Sequence, residues 1–269
     1  MTPMTTADPA PPPPPAGPPV GPQAGPRTGP RTGPRARTRL RRWAAGAVRW
    51  IRSAPGTYVW LLILGANTFA LVHMSPRMRK YFLFTHSTNL EQLRHHPIKV
   101  LITSAFWTET PSFLFWFLVF NLFSVPVERW LGTRRWLAVV AIAHVGATLV
   151  SQGTVNVLIN AGVMSRHNAF VLDIGVSYAV SGAVGMLTWF LARPLRWYYL
   201  GGAAAFYAYL LISDSDFTNL GHLTAFLIGL GCYPLGRGVP GGDWRPRRWR
   251  DRHGDSTEKL SPLRSGATG

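Results

Sequence analysis

Gly175-Val176-Ser177-Tyr178-Ala179-Val180-Ser181-Gly182-Ala183-Val184-Gly185 and Gly221-His222-Leu223-Thr224-Ala225-Phe226-Leu227-Ile228-Gly229 decide the fold. Both are apolar runs built on small residues, and each carries one reactive side chain, Ser177 or His222. Membrane helices approach each other where small residues recur every four positions. The first run offers two such rows, Gly175/Ala179/Ala183 and Ser177/Ser181/Gly185, and the second offers Gly221/Ala225/Gly229. The two helices are therefore expected to pack closely and to bring a hydroxyl and an imidazole together inside a membrane.

Working outward, apolar runs of about 20 residues, long enough to cross hydrocarbon as helices, recur along the chain. Six are read: 57–74, 111–131, 136–153, 169–190, 195–213 and 219–236. They predict an all-α membrane protein with six transmembrane helices over residues 57–236. The 269-residue chain has a formal charge of +17, and most of it lies outside the runs. Residues 1–55 hold nine Arg against Asp8, and residues 237–269 hold eight Lys or Arg against four acids.

Residues 1–38, with Pro11 to Pro15 and Gly-Pro-Arg-Thr repeats, have too little apolar surface to fold and are expected to be a disordered tail. No secretory signal is read before residue 57, so the first span is expected to act as its own insertion signal. Over 39–56, Leu40, Trp43, Ala44, Ala47 and Ile51 fall at helical spacing among five arginines. This pattern suits a helix lying on an anionic leaflet, or a basic flank that only fixes topology. No nucleic-acid reader accompanies the basic tails, so anionic lipid is their expected partner.

Orientation follows from the cations. With the N-terminus inside, 22 Lys and Arg lie on the cytoplasmic side and six outside, which puts both termini in the cytoplasm of a multi-pass cell-membrane protein. Five of the outer six fall in 75–110, a loop that also contains Tyr81-Phe82-Leu83-Phe84 and is expected to be partly embedded in the outer leaflet. The fourth and sixth spans then run in the same direction. Ser177 and His222 sit roughly 12 and 6 Å below their helix starts at 1.5 Å rise per residue.

These residues resemble the rhomboid intramembrane serine proteases. Gly175-Val176-Ser177-Tyr178 followed by Gly185 is similar to the family's serine motif, and Gly221-His222 with Ala225 and Gly229 to its histidine helix. Phe120-Asn121-Leu122 running on to Val127-Glu128-Arg129-Trp130-Leu131-Gly132 resembles its second span. The resemblance implies a dyad: His222 takes the proton of Ser177 as it attacks a scissile carbonyl, with Asn121 and the Ser177 N–H facing the oxyanion. It also implies transmembrane segments of other membrane proteins as substrates, and no cofactor or metal.

The chain departs from that pattern in three places. Phe117 stands where the family has a histidine, removing an oxyanion donor; Tyr178 replaces the glycine after the serine; Ser181 replaces an aromatic residue that stacks on the histidine. A second expectation is accordingly kept: a rhomboid-like pseudoprotease that binds membrane-protein clients. A transporter is disfavoured, since no inverted repeat or pair of broken helices is visible. Asp173, one turn before Ser177 in the predicted helix, is read either as site support that orders the site, orients His222 or binds substrate backbone, or as a wetted acid at a helix N-terminus. Asp214 and Asp216 read as the turn before the last helix, capped by Thr218 or Asn219. His144 reads as a packing or hydrogen-bonding residue. The single cysteine, Cys232, excludes a disulfide framework or a thiolate cluster.

Overall fold

The first long helix of the bundle starts where Pro55 occupies the first helical position and an acid far away in sequence receives its free N–H groups. In this computed structural model, residues 34–108, 112–214 and 216–240 are described, with side chains from Arg41 onward. The expected tail 1–38 falls almost wholly outside these residues, as does the C-terminal stretch from 241. A basic helix, α1 (Pro34–Arg52), connects a short N-terminal unit ending at Ala45 to the main body beginning at Gly46. All contacts below lie within the main body.

The main body is helical throughout, and no strand occurs among the described residues. After α2 (Pro55–His73), the 75–108 segment folds into α3 (Pro76–His86), α4 (Leu90–His95) and α5 (Pro97–Thr103), the last closed by a 3-10 turn at Ser104–Phe106. Prolines at the helix starts and the caps Ser75 and Asn89, whose side chains accept from Met78 N and Gln92 N, explain these short elements. The next span is α6 (Phe113–Val119) and α7 (Val125–Leu131), joined by a wide π-turn at Phe120–Ser124. Then follow α8 (Thr133–Asn160), a 3-10 turn at Arg166–Phe170, α9 (Val176–Phe190), α10 (Leu195–Ser213), α11 (Phe217–Gly231) and the short α12 (Tyr233–Gly236).

Helices therefore stand at all six predicted runs. By length and composition, three can cross a membrane: Pro55–His73, Phe113–Leu131 and Thr133–Asn160. The fourth run is corrected most. Its helix begins at Val176 rather than near 169, so Asp173 lies in the irregular connection before it and not on the helix face of Ser177. The last helix starts at Phe217 with Asp216 at its N-cap, ahead of the predicted Thr218 or Asn219; Asn219 instead donates to the carbonyls of Leu210 and Asp214.

The core gathers around Trp60, Phe120 and Trp136, with Trp60 at 5.9 Å from Phe120 and 5.8 Å from Trp136, ring centre to ring centre. Glu128, 1% exposed, fixes one end of this core. Its Oε1 accepts from Gly56 N and Thr133 Oγ1, both at 2.7 Å, and its Oε2 accepts from Thr57 N at 2.6 Å. One carboxylate thus holds the positive N-terminus of α2 against the start of α8. Gly56 is required there, because a Cβ would press on Trp136, Thr133 and Glu128 at once.

Candidate active site around Tyr178 and His222

Helices α8, α9 and α11 form the tightest junction in the molecule. A methyl group on Gly229 would run into the Gly182 carbonyl, one on Gly185 into the Phe226 carbonyl, and one on Gly182 into Ala143. Backbones of α9 and α11 therefore touch directly, in the manner that small residues allow in membrane bundles. Contacts advance in the same sense on both helices, from Tyr178 against Gly221 to Gly185 against Leu230, so the two run parallel.

The row on α9 that faces α11 is Tyr178, Gly182 and Gly185, which shares only Gly185 with the rows picked out by sequence. Ser181 points instead to α10, where it accepts a hydrogen bond from Tyr207 at 3.0 Å. Ser177, one turn above Ser181, shares that side of the helix. Its half-buried hydroxyl donates to the Ile174 carbonyl at 3.3 Å. His222, also half-buried, meets Tyr178, whose ring stands edge-on at 5.3 Å between centroids. Among the described residues no hydrogen bond joins Ser177 to His222, and the buried His222 Nδ1 has no partner. Tyr178 is fully buried and fills the space beside Gly221 that a glycine at 178 would leave open.

Asp173 is 1% exposed, so it is no wetted helix-end acid. Its Oδ2 accepts from Gln152 Nε2 at 2.9 Å and Ser151 Oγ at 3.3 Å. The Asp173 carboxyl and the Tyr178 hydroxyl interact electrostatically, while neither Asp173 Oδ1 nor Tyr178 Oη makes a hydrogen bond. The Asp173 main-chain carbonyl accepts both Thr88 N and Thr88 Oγ1 at 2.9 Å, pinning the connection to the α3–α4 segment. Ties in this network, not helix propensity, keep 171–174 out of the helix.

Gly175 is placed by a second knot. Its N–H donates to the Ser104 carbonyl at 3.2 Å, and its Cα lies so close to the His144 ring that any side chain at 175 would collide with it. His144 Nε2 lies 2.8 Å from the Leu101 carbonyl and 3.4 Å from Ser104 Oγ. A carbonyl can only accept, so Nε2 carries the proton and cannot take one from Ser104. This serine–histidine pair is a structural clasp, in keeping with the packing or hydrogen-bonding part read for His144.

Asn121 stands elsewhere, in the π-turn. Its Oδ1 accepts from Tyr58 Oη at 2.6 Å and Trp50 Nε1 at 3.2 Å, and its Nδ2 donates to the Phe117 carbonyl at 2.8 Å. One of the two amide N–H donors is thus taken up by its own helix. Phe117 is 37% exposed on the same stretch. Among the described residues no group of three or more His, Cys, Asp or Glu is arranged to hold a metal.

Sequence reasoning missed Thr88, Ser104, Ser151 and Gln152. The last two were within reach: His144, Thr148, Ser151 and Gln152 form a polar stripe at i, i+4, i+7 and i+8 on an otherwise apolar helix, and all four are buried.

A family model described as rhomboid-like protein matches residues 49–242, a region that contains every helix from α2 to α12. No curated protein and no solved structure matches the chain. With apolar helices long enough to cross a bilayer and a family match over most of its length, this chain is a membrane protein belonging to the rhomboid-like family.

Proposed function

We propose that this chain is a rhomboid-like pseudoprotease that binds the transmembrane helices of client membrane proteins. One observation carries the reading: Tyr178, not Ser177, faces His222 across the α9–α11 junction, while the Ser177 hydroxyl is spent on the Ile174 carbonyl. A serine without a base in contact is a weak nucleophile. Phe117 supports the same reading, since its side chain offers no donor for an oxyanion, and one N–H of the Asn121 amide is committed to the Phe117 carbonyl.

A second reading, an intramembrane serine protease using Ser177 and His222, is favoured by their neighbourhood. Ser177 is the residue next to Tyr178, and both dyad candidates are half-exposed on helices in backbone contact. Catalytic hydrogen bonds are often loose in free enzymes and tighten with substrate. Turning α9 by about one residue's rotation, 100°, would bring Ser177 to where Tyr178 stands. In that chemistry His222 removes the hydroxyl proton, an acyl-enzyme forms, and water releases it.

In both readings α2, α6–α7, α8, α9, α10 and α11 are six membrane spans with the termini in the cytoplasm and the basic tails against anionic lipid. The cation asymmetry of the sequence supports this orientation.

The deciding experiment is labelling of the detergent-purified full chain with a fluorophosphonate, alongside Ser177→Ala and His222→Ala. The pseudoprotease reading expects no labelling of folded wild type, together with photo-crosslinks to client helices that survive Ser177→Ala. Labelling abolished in both variants would overturn it in favour of the protease.

A further inference from the structure

A cavity of about 850 Å³ opens between the π-turn of α6–α7 and the adjoining ends of α9 and α10. Its wall is apolar, formed by Leu122, Phe123, Leu187, Phe190, Leu191 and Tyr199. Its rim is different. The Arg129 guanidinium lies 4.1 Å above the Trp50 ring, and Trp50 and Tyr58 both donate to Asn121 Oδ1. Trp50 is therefore held in place from two sides, with Arg49 and Arg52 flanking it on α1.

Arg129 has no anionic partner within the described residues, where the one ion pair is His95 with Glu91. The carboxylate next to it in sequence, Glu128, is fully engaged by Gly56, Thr57 and Thr133. A cation at the edge of a greasy cavity in a membrane protein is costly unless something pairs with it. A guanidinium binds phosphate through two parallel N–H donors, and tryptophan favours the headgroup level of a bilayer.

We infer that this cavity is a lipid site: an acyl chain of an anionic phospholipid lies along the Leu122–Phe190 wall, with its phosphate on Arg129. Charge complementarity selects this occupant. The volume lies in the ordinary range for single-ligand pockets.

The test uses the full chain, purified in mild detergent, exchanged into micelles containing dioleoyl phosphatidylglycerol or dioleoyl phosphatidylcholine, and examined by native mass spectrometry. Wild type is expected to retain one phosphatidylglycerol in preference to phosphatidylcholine. Arg129→Gln should lower that preference about tenfold, equivalent to about 1.4 kcal/mol, and Arg129→Lys should restore part of it. Leu122→Trp, at a 61% exposed position lining the cavity, should lower retention of both lipids without unfolding the chain. Equal retention of the two lipids by wild type, or unchanged retention in Arg129→Gln and Leu122→Trp, would overturn the proposal. So would displacement of a bound transmembrane peptide by Leu122→Trp with lipid retention untouched. None of these outcomes depends on whether Ser177 is a nucleophile.

Discussion

Glu128 and Asp173 are equally buried carboxylates, one held at the start of α8 and the other on its second half, and they are satisfied very differently. Both oxygens of Glu128 are saturated by two backbone N–H groups and a hydroxyl, all within 2.7 Å. Asp173 uses one oxygen for Gln152 and Ser151, while its other oxygen and the nearby Tyr178 hydroxyl make no hydrogen bond. The first arrangement is that of a structural staple. The second leaves donor and acceptor capacity beside His222, the kind of incompletely satisfied buried polarity that marks functional sites more often than scaffolds.

The comparison can be broken most directly at Glu128. Glu128→Ala strands two backbone donors and a hydroxyl, and is expected to cost about 3–5 kcal/mol, read as loss of a cooperative unfolding transition in detergent. Next comes Gly229→Ala, which forces α11 off the Gly182 carbonyl; about 1–3 kcal/mol is expected from overpacking, checked by the same unfolding curve. Asp173→Asn keeps an acceptor for Gln152 and should cost only about 1 kcal/mol, while altering crosslinking of client helices. A loss matching that of Glu128→Ala would make Asp173 a second staple. The smallest effect belongs to Tyr178→Phe. It removes a hydroxyl that lacks a hydrogen bond, so the midpoint of unfolding should move by under about 1 kcal/mol.

Much of this architecture was legible because membrane helices announce themselves by length and apolarity. The predicted 195–213 coincides with α10, and 57–74 and 111–131 differ from the helices by two residues at most. The fourth run misled because Val171, Leu172 and Ile174 are apolar enough to extend a helix pattern. A buried tie from Thr88, 85 residues away, holds that stretch outside the helix. The Glu128 motif was visible in sequence, yet its partners Gly56 and Thr57 were not, since nothing local links positions about 70 residues apart.

The candidate site was legible only in part. Ser177 and His222 do lie on helices in backbone contact, as their small residues suggested. The rotation of α9 was hidden because small residues occur on all its faces: Gly175, Ala179, Ser181, Gly182, Ala183 and Gly185 offer several equivalent rows. Packing chose the row containing Tyr178, whose ring needed the notch at Gly221.

The π-turn at Phe120–Ser124 carries its own consequence for the span that contains it. A π-turn places one more residue in a turn than an α-helix does, so α6 and α7 are two screws of the same hand cut out of phase by about 100°. Leu114, Phe115 and Leu118 point outward above that fault, while Val125, Val127, Glu128 and Trp130 point inward below it. Losing one residue there would bring the screws back into phase. It would also turn the outward thread of α6 toward the tryptophan core, so the length of this short turn sets which side of the span meets lipid.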